Sequence, residues 1–357
     1  MLYTCDSSLK PMAVSGRKHR PSSRHSTFAV DVHCHVYVPE AAELVKDAFD
    51  PTMDDLFKFT NEATREVNAA QVDTIMEPLT SLERRIADMD VMGIDVQAVS
   101  PAPLQYYYSL DVDLAVESSR LINNHIASMC EAEPDRIVGL ANVPLQSPEH
   151  AIAELERVMK DLNFRGVEIS TNVAGKELSD RSYWPFFKRA EELGALVFMH
   201  PCGFSEGRRL TDHYFTNVIG NPLDTSIAVQ HMIFSGLLEE CSKLKVCLAH
   251  GGGYLAAYSG RIDHAHSARK DCRRFINKPP TSYLKQLYFD TIVFTQHQLE
   301  YLVSIYGADH LVIGTDYPYD MGMYEPVDFV NSANLTDQQK EMIIGLNAAQ
   351  LLGIEIK

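Results

Sequence analysis

From residue 28 onward, short apolar runs rich in β-branched residues alternate with segments of helical periodicity. Strands that alternate with helices pair in parallel, because a helix carries the chain back to the start of the next strand. Eight such runs stand out: Phe28–Val32, Val96–Ser100, Ile137–Val143, Gly166–Ser170, Ala195–Met199, Lys245–Ala249, Leu287–Val293 and Leu311–Gly314. Eight right-handed strand–helix units predict a closed (β/α)8 TIM barrel in the α/β class. An open doubly wound sheet is the other arrangement of such units. Its phosphate-binding GxGxxG after a first strand is absent, and Gly251-Gly252-Gly253 is too compact to serve. A chain of 357 residues is long enough for one such barrel. Residues 28–357 are therefore read as a single domain.

The helices between these runs carry their own punctuation. Thr80-Ser81-Leu82-Glu83 reads as a capping box, followed by Leu82, Ile86 and Met89 at helical spacing and a stop at Gly93. Ser147-Pro148 places proline at a first helical position, and Ile152, Leu155, Met159 and Leu162 form the apolar stripe. Asp180–Glu192 reads as a helix closed by Gly194, and further helices are expected over Leu114–Glu131, Asp224–Glu239, Gln296–Tyr306 and Asp337–Leu346. Two connections, Val36 to Leu79 and Pro201 to Pro222, are long for loops in a compact domain. Both follow strand C-termini, where barrel active sites form, so they are expected to wall a substrate pocket.

Composition narrows the function classes. A net charge of −16 argues against nucleic-acid binding and against attachment to an anionic membrane. No run reaches the ~18 apolar residues of a membrane span. Seven cysteines (Cys5, Cys34, Cys130, Cys202, Cys241, Cys247, Cys272), scattered without a CxxC, imply free thiols and a cytoplasmic location. Residues 1–27 differ from the rest, with Lys10, Arg17, Lys18, Arg20 and Arg24 against the single acid Asp6. They lack the apolar core of a secretory signal and read as a basic, disordered extension.

Candidate metal ligands collect at strand ends. His33 and His35 are two apart, so on a strand both project to one face, whereas Cys34 points to the other and reads as packing. The pair alone carries little weight. His200 follows the fifth run, His250 the sixth and Asp316 the eighth. In a barrel all of these converge on the C-terminal mouth. Imidazole and carboxylate are the usual ligands of a catalytic divalent ion that keeps one position open.

These stretches carry a resemblance. Val30-Asp31-Val32-His33-Cys34-His35, Arg85-Ile86-Ala87-Asp88-Met89-Asp90, Asp135-Arg136-Ile137-Val138-Gly139, Phe198-Met199-His200-Pro201, Leu244 through Gly253 and Gly314-Thr315-Asp316-Tyr317-Pro318 resemble the amidohydrolase superfamily. Within it the chain is most similar to the branch of aminocarboxymuconate semialdehyde decarboxylase. The resemblance spans roughly residues 28 to 353. It implies one divalent metal, usually Zn²⁺, with His33, His35, His200 and Asp316 as ligands, a donor set that also accepts Mn²⁺ or Co²⁺. It implies His250 as an acid/base, working with Asp316. Strand four, which continues as Glu168-Ile169-Ser170-Thr171-Asn172, offers no lysine for a second metal. Arg261 falls where that branch has an arginine for a substrate carboxylate, contributed across a homodimer interface. A second carboxylate-binding arginine is not clearly matched; Arg65 is the only arginine in the long first connection. Tyr106-Tyr107-Tyr108 reads either as an aromatic wall or as a packed loop.

Two chemistries share these groups. One is non-oxidative decarboxylation of a small aromatic or unsaturated carboxylic acid. The other is hydrolysis of a C–N, C–O or C–C bond in a small carbonyl compound. The branch resemblance favours decarboxylation. A metal-holding barrel without catalysis is the third reading, disfavoured because His250 and Asp316 are both present.

Overall fold

The computed structural model describes residues 27–356. The basic extension expected over residues 1–27 lies, but for Thr27, outside the described residues. Eight parallel strands follow in chain order: β1 Val30–Val36, β2 Val96–Pro101, β3 Ile137–Ala141, β4 Gly166–Ile169, β5 Leu196–Met199, β6 Lys245–Leu248, β7 Tyr288–Asp290 and β8 Leu311–Val312. Each pairs with its sequence neighbour. The ring closes where β8 runs on beside β1. There Val32 N–H donates to Ile313 O at 3.0 Å and His35 N–H to Tyr317 O at 2.8 Å. The fold is a (β/α)8 barrel.

The strands are buried on both faces. Val30, Val32, Ala98, Leu140, Leu196, Phe198, Cys247 and Val312 form one cluster with the C-terminal helix Asn347–Leu352. A second, larger cluster packs the outer strand faces against the helices. Cys34 belongs to that outer layer, as alternation requires, and its thiol donates to Ala98 O at 3.5 Å.

Helix ends follow the expected punctuation with local differences. Thr80 closes the preceding helix, Glu62–Thr80, so Ser81 alone caps Leu82–Met92, accepting from Arg84 N–H at 3.2 Å. The segment expected as one helix over Asp224–Glu239 divides into Asn221–Phe234 and Leu237–Glu240. Gly236 separates them at φ +86°, a left-handed conformation that interrupts the helix.

Both long connections are structured. Residues 36 to 79 form helices Pro39–Val45, Asp55–Lys58 and Glu62–Thr80 rather than an open loop. Residues 201 to 222 make a short turn at Gly207–Arg209 and one wide helical turn at Thr216–Gly220. The two are stitched together: Asn61 N–H donates to Thr211 O at 3.0 Å, and Asn61 Nδ2 to Asp212 Oδ1 at 3.0 Å. Gly203, at φ +76°, lets the second lie directly on the first, since a Cβ there would be 2.3 Å from the Asp55 backbone.

Gly166 shows how closely strands β4 and β5 approach. A Cβ at this position would sit 2.0 Å from the Leu196 carbonyl oxygen. Backbone cannot yield as a side chain can, so Gly166→Ala is expected to destabilise by about 1–3 kcal/mol or more. A urea-unfolding midpoint equal to that of the parent chain would contradict this packing.

Asp224 is buried beyond β4 and accepts hydrogen bonds from Thr171 Oγ1 and, at 3.1 Å, Asn172 Nδ2. Burial raises its pKa from 3.8 to about 6, against those two hydrogen bonds. A raised carboxyl pKa means that the folded chain holds the proton more tightly than the unfolded one. Stability therefore falls as pH rises from about 4 through about 6 and stays lower above. Asp224→Asn, which carries no charge to bury, is expected to gain about 2–3 kcal/mol at pH 8 and little at pH 4. Denaturant titrations at the two pH values check this.

Candidate active site

Strand β1 carries one extra residue relative to β2. Asp31 pairs with Gln97, but Cys34 pairs with Val99, so the pairing shifts by one in between. Such a bulge bends the strand and re-aims its side chains. His33, within the bulge, and His35, just past it, both face the barrel mouth. The expectation that the histidines follow the strand is corrected: they lie within it, fully buried.

The structure brings His33, His35, His200, His250 and Asp316 around one point. Ligand atoms of His33, His200, His250 and Asp316 all lie within 4.8 Å of one another. His35 Nε2 completes the ring, 3.1 Å from His33 Nε2 and 3.3 Å from Asp316 Oδ1. Asp316 has two faces. Its Oδ1 lies 3.4 Å from His33 Nε2, whereas its Oδ2 lies 3.6 Å from His250 Nε2. His250 and Asp316 both sit in the left-handed region, at φ +55° and +54°. For residues with a Cβ this costs about 1–3 kcal/mol each, and such strain concentrates at functional sites.

Outer contacts orient the rings. His33 Nδ1 donates to Asp290 Oδ2 at 2.6 Å, and His35 Nδ1 to Pro101 O at 3.1 Å, so both Nε2 atoms face the cluster. His200 has no hydrogen-bond partner at either ring nitrogen although it is only 5% exposed. Burial, with His33, His35 and His250 close by, holds its pKa well below the ordinary value, so its lone pair is free. Burial alone would lower His33 too, but the carboxylates of Asp316 and Asp290 outweigh it and raise His33 to about 10. Asp316 stays ionised despite its burial because His33, His250 and His35 surround it. The orphaned nitrogens of His200, an ionised Asp316 and inward-facing Nε2 atoms are what a divalent cation requires, and on binding it would displace the second proton that the carboxylates hold on His33. The donor set fits one.

Beneath the ring lies a buried polar lattice. Asp31 accepts from Thr315 Oγ1 at 2.7 Å and Gln97 Nε2 at 2.9 Å, and burial lifts its pKa to about 6. Arg85 donates to Gln97 Oε1 at 3.0 Å and to His35 O, and it stacks on Tyr317 at 5.0 Å. Glu168, fully buried at the end of β4, accepts from Tyr106 and stands 3.6 Å from His35 Nδ1.

A cavity of about 360 Å³ opens beside the ring, and of the five residues only His250 reaches its wall. The other walls are largely apolar, with Val218, Tyr254, Ile292, Phe294 and Met321. Asn217 and Val218 come from the long connection after β5, as expected, whereas none of residues 36 to 79 lines this cavity, so the wall expected from the first connection is corrected. Tyr106, Tyr107 and Tyr108 do not join the wall; all are buried, and the packed-loop reading holds. Arg261 lies exposed on helix Ser259–Ala268, away from the cavity wall of its own chain. Arg65 is engaged within its own segment, donating to Thr60 O at 2.7 and 3.1 Å.

Sequence reasoning passed over Asp290 and gave Glu168 no role. Asp290 lies inside the expected strand Leu287–Val293 and reads there as one residue of a run. The available signal was an acid at the C-terminal end of an apolar strand, the same register as the candidate ligands.

A parallel barrel with four histidines and an aspartate gathered at its C-terminal mouth defines a (β/α)8 barrel with a His/Asp metal-binding group. The chain belongs to the amidohydrolase family, whose model matches residues 30–354. It is similar to 2-amino-3-carboxymuconate-6-semialdehyde decarboxylase from Dictyostelium discoideum, 34% identical over 273 residues and covering 76% of each chain. Its fold is similar to that of 5-carboxyvanillate decarboxylase from Sphingomonas paucimobilis, with a TM-score of 0.83, 24% identity, and coverage of 92% and 100% of the two chains. A dihydroxybenzoic acid decarboxylase from a Polaromonas species, solved with manganese and 2-nitroresorcinol, superposes with a TM-score of 0.80 at 22% identity, covering 93% and 98%. Among the described residues no helix is long and apolar enough to cross a membrane.

Arg85 anchors the strand that bears two of the histidines. Arg85→Lys keeps the charge but loses the planar fork that serves Gln97 and His35 together. We expect a loss of about 2–3 kcal/mol in unfolding free energy. Denaturation of the metal-stripped chain checks this without any contribution from a bound ion.

Proposed function

We propose that the protein is a metal-dependent, non-oxidative decarboxylase acting on a small aromatic or unsaturated carboxylic acid. The observation that carries this reading is the ring of His33, His35, His200 and Asp316, with His250 alone projecting from it to the wall of an apolar cavity. In this reading His33, His35, His200 and Asp316 hold one divalent ion. When bound, such an ion stabilises negative charge developing on a substrate oxygen. Zn²⁺ is the ion expected from the sequence, and Mn²⁺ is the ion in the Polaromonas relative.

His250 and Asp316 form the acid/base pair. Their separation of 3.6 Å lets a small adjustment pass a proton between them. The pair delivers a proton to the substrate carbon that bears the carboxylate. The carbon–carboxylate bond then breaks, its electrons restore the conjugation that protonation interrupted, and CO2 leaves. Phe294, Ile292 and Met321 suit the faces of a planar conjugated acid. Arg261 is assigned to the substrate carboxylate of the neighbouring site in a homodimer, which accords with its exposure outside its own cavity. Six unpaired cysteines among the described residues support a cytoplasmic location.

Incubation of the metal-loaded protein with hydroxybenzoates and carboxylated muconate semialdehydes is expected to release CO2 in step with substrate loss. Acid released from a lactone or amide, with no CO2 from any such acid, would replace decarboxylation by hydrolysis. His33→Ala and Asp316→Ala are expected to abolish turnover, and His250→Ala to lower kcat by about 10²–10⁴-fold with metal content retained. Elemental analysis is expected to find one divalent ion per chain.

A further inference from the structure

We propose that Asp290 is a positioning residue that selects the tautomer of His33 and, through the same carboxylate, fixes the turn that carries His250. The inference rests on the metal-site reading above and extends it to a residue outside the ring. Asp290 ends β7 and is fully buried. Its Oδ2 accepts from His33 Nδ1 at 2.6 Å and from His250 N–H at 2.9 Å. Its Oδ1 accepts from Gly251 N–H at 2.8 Å and Ile292 N–H at 3.1 Å. Gly314 leaves room for the pair, since a Cβ there would lie 2.9 Å from the Cβ atoms of both His33 and Asp290.

Three of the four donors are backbone N–H groups and have no alternative role. His33 is the one partner that can change. A carboxylate only accepts, so Nδ1 carries a proton, and Nε2, beside His35 and Asp316, is the nitrogen left to bind a cation. The geometry therefore ties two functions to one side chain. The orientation of a ligand on β1 and the placement of the acid/base after β6 both depend on Oδ2.

Asp290→Asn separates these functions with almost no change in volume. With its oxygen toward Gly251 and Ile292, the amide leaves only the His250 N–H unpaired, because His33 can adapt. With its oxygen toward His33 and His250, it leaves two buried N–H groups facing an NH2. The first orientation is cheaper. It forces His33 Nδ1 to accept, so the proton moves to Nε2, where a cation would bind.

The test compares parent and Asp290→Asn full-length chains, stripped of metal and titrated with Zn²⁺ against a chromophoric chelator. The Kd for Zn²⁺ is expected to rise by about 10–100-fold. Long-range ¹H–¹⁵N spectra of the metal-free chains are expected to place a proton on His33 Nδ1 in the parent and on Nε2 alone in the variant. Amide exchange at residues 250–251 is expected to speed up in the variant. Zinc affinity within twofold of the parent, or the same His33 tautomer in both chains, would overturn the inference. If the variant does not fold, the parent spectrum decides, and a metal-free parent with no proton on His33 Nδ1 overturns it. A parent chain that takes up no stoichiometric Zn²⁺ sinks the metal reading and this inference with it. Metal uptake that is indifferent to Asp290 sinks this inference alone.

Discussion

The seam between β1 and β8 is the interaction on which the rest depends. A barrel has no free edge only if its last strand returns to its first. Here the return is made by few bonds, and they lie at the site. The His33 carbonyl accepts from Thr315 N–H at 3.1 Å and from Asp316 N–H at 2.8 Å. Closing the fold therefore places Asp316 opposite His33 and His35. Asp31 reinforces the join by accepting from both the hydroxyl and the N–H of Thr315. Stability and chemistry share the same few residues, and either is hard to change without the other.

The buried polar groups follow from this arrangement. Asp31, Arg85, Gln97, Asp290 and Thr315 would each be costly in an apolar core if left unpaired. Each is paired with a residue of another element, so together they tie the barrel wall beneath the ring of histidines. The rings in turn lose rotational freedom. His33 and His35 each have a fixed acceptor at Nδ1, which leaves their Nε2 atoms committed to the cluster. The apolar cavity beside the cluster needs only His250 as its polar contact with this machinery.

The barrel and the five ring residues were legible in the sequence for a physical reason. Strand ends on one side of a parallel barrel must converge, so polar residues after successive apolar runs point to one place. The bounds of β1 were less legible. His33 and His35 are as buried as any valine, which hydropathy does not anticipate for a polar pair. Asp290 was hidden for the related reason that an acid within a strand gives no turn signal. The helix Glu62–Thr80 was not expected because it buries only Thr64, Pro78 and Leu79. With so little of it against the core, it lacks the apolar stripe that reveals a helix.

The turn after β6 has a further consequence. His250, Gly251, Gly252 and Gly253 all adopt positive φ, so this stretch turns back sharply on itself at the end of β6. Successive N–H groups in such a turn form a concave nest that attracts anions. Here the nest comes already filled, because the Asp290 carboxylate occupies it from within the barrel. An incoming acid finds no vacant backbone cradle at this point and must leave its charge to be met from the opposite side. The turn thus acts as a one-way mount: its first two amides face inward to a resident anion, and the imidazole is the one titratable group it turns toward the visitor.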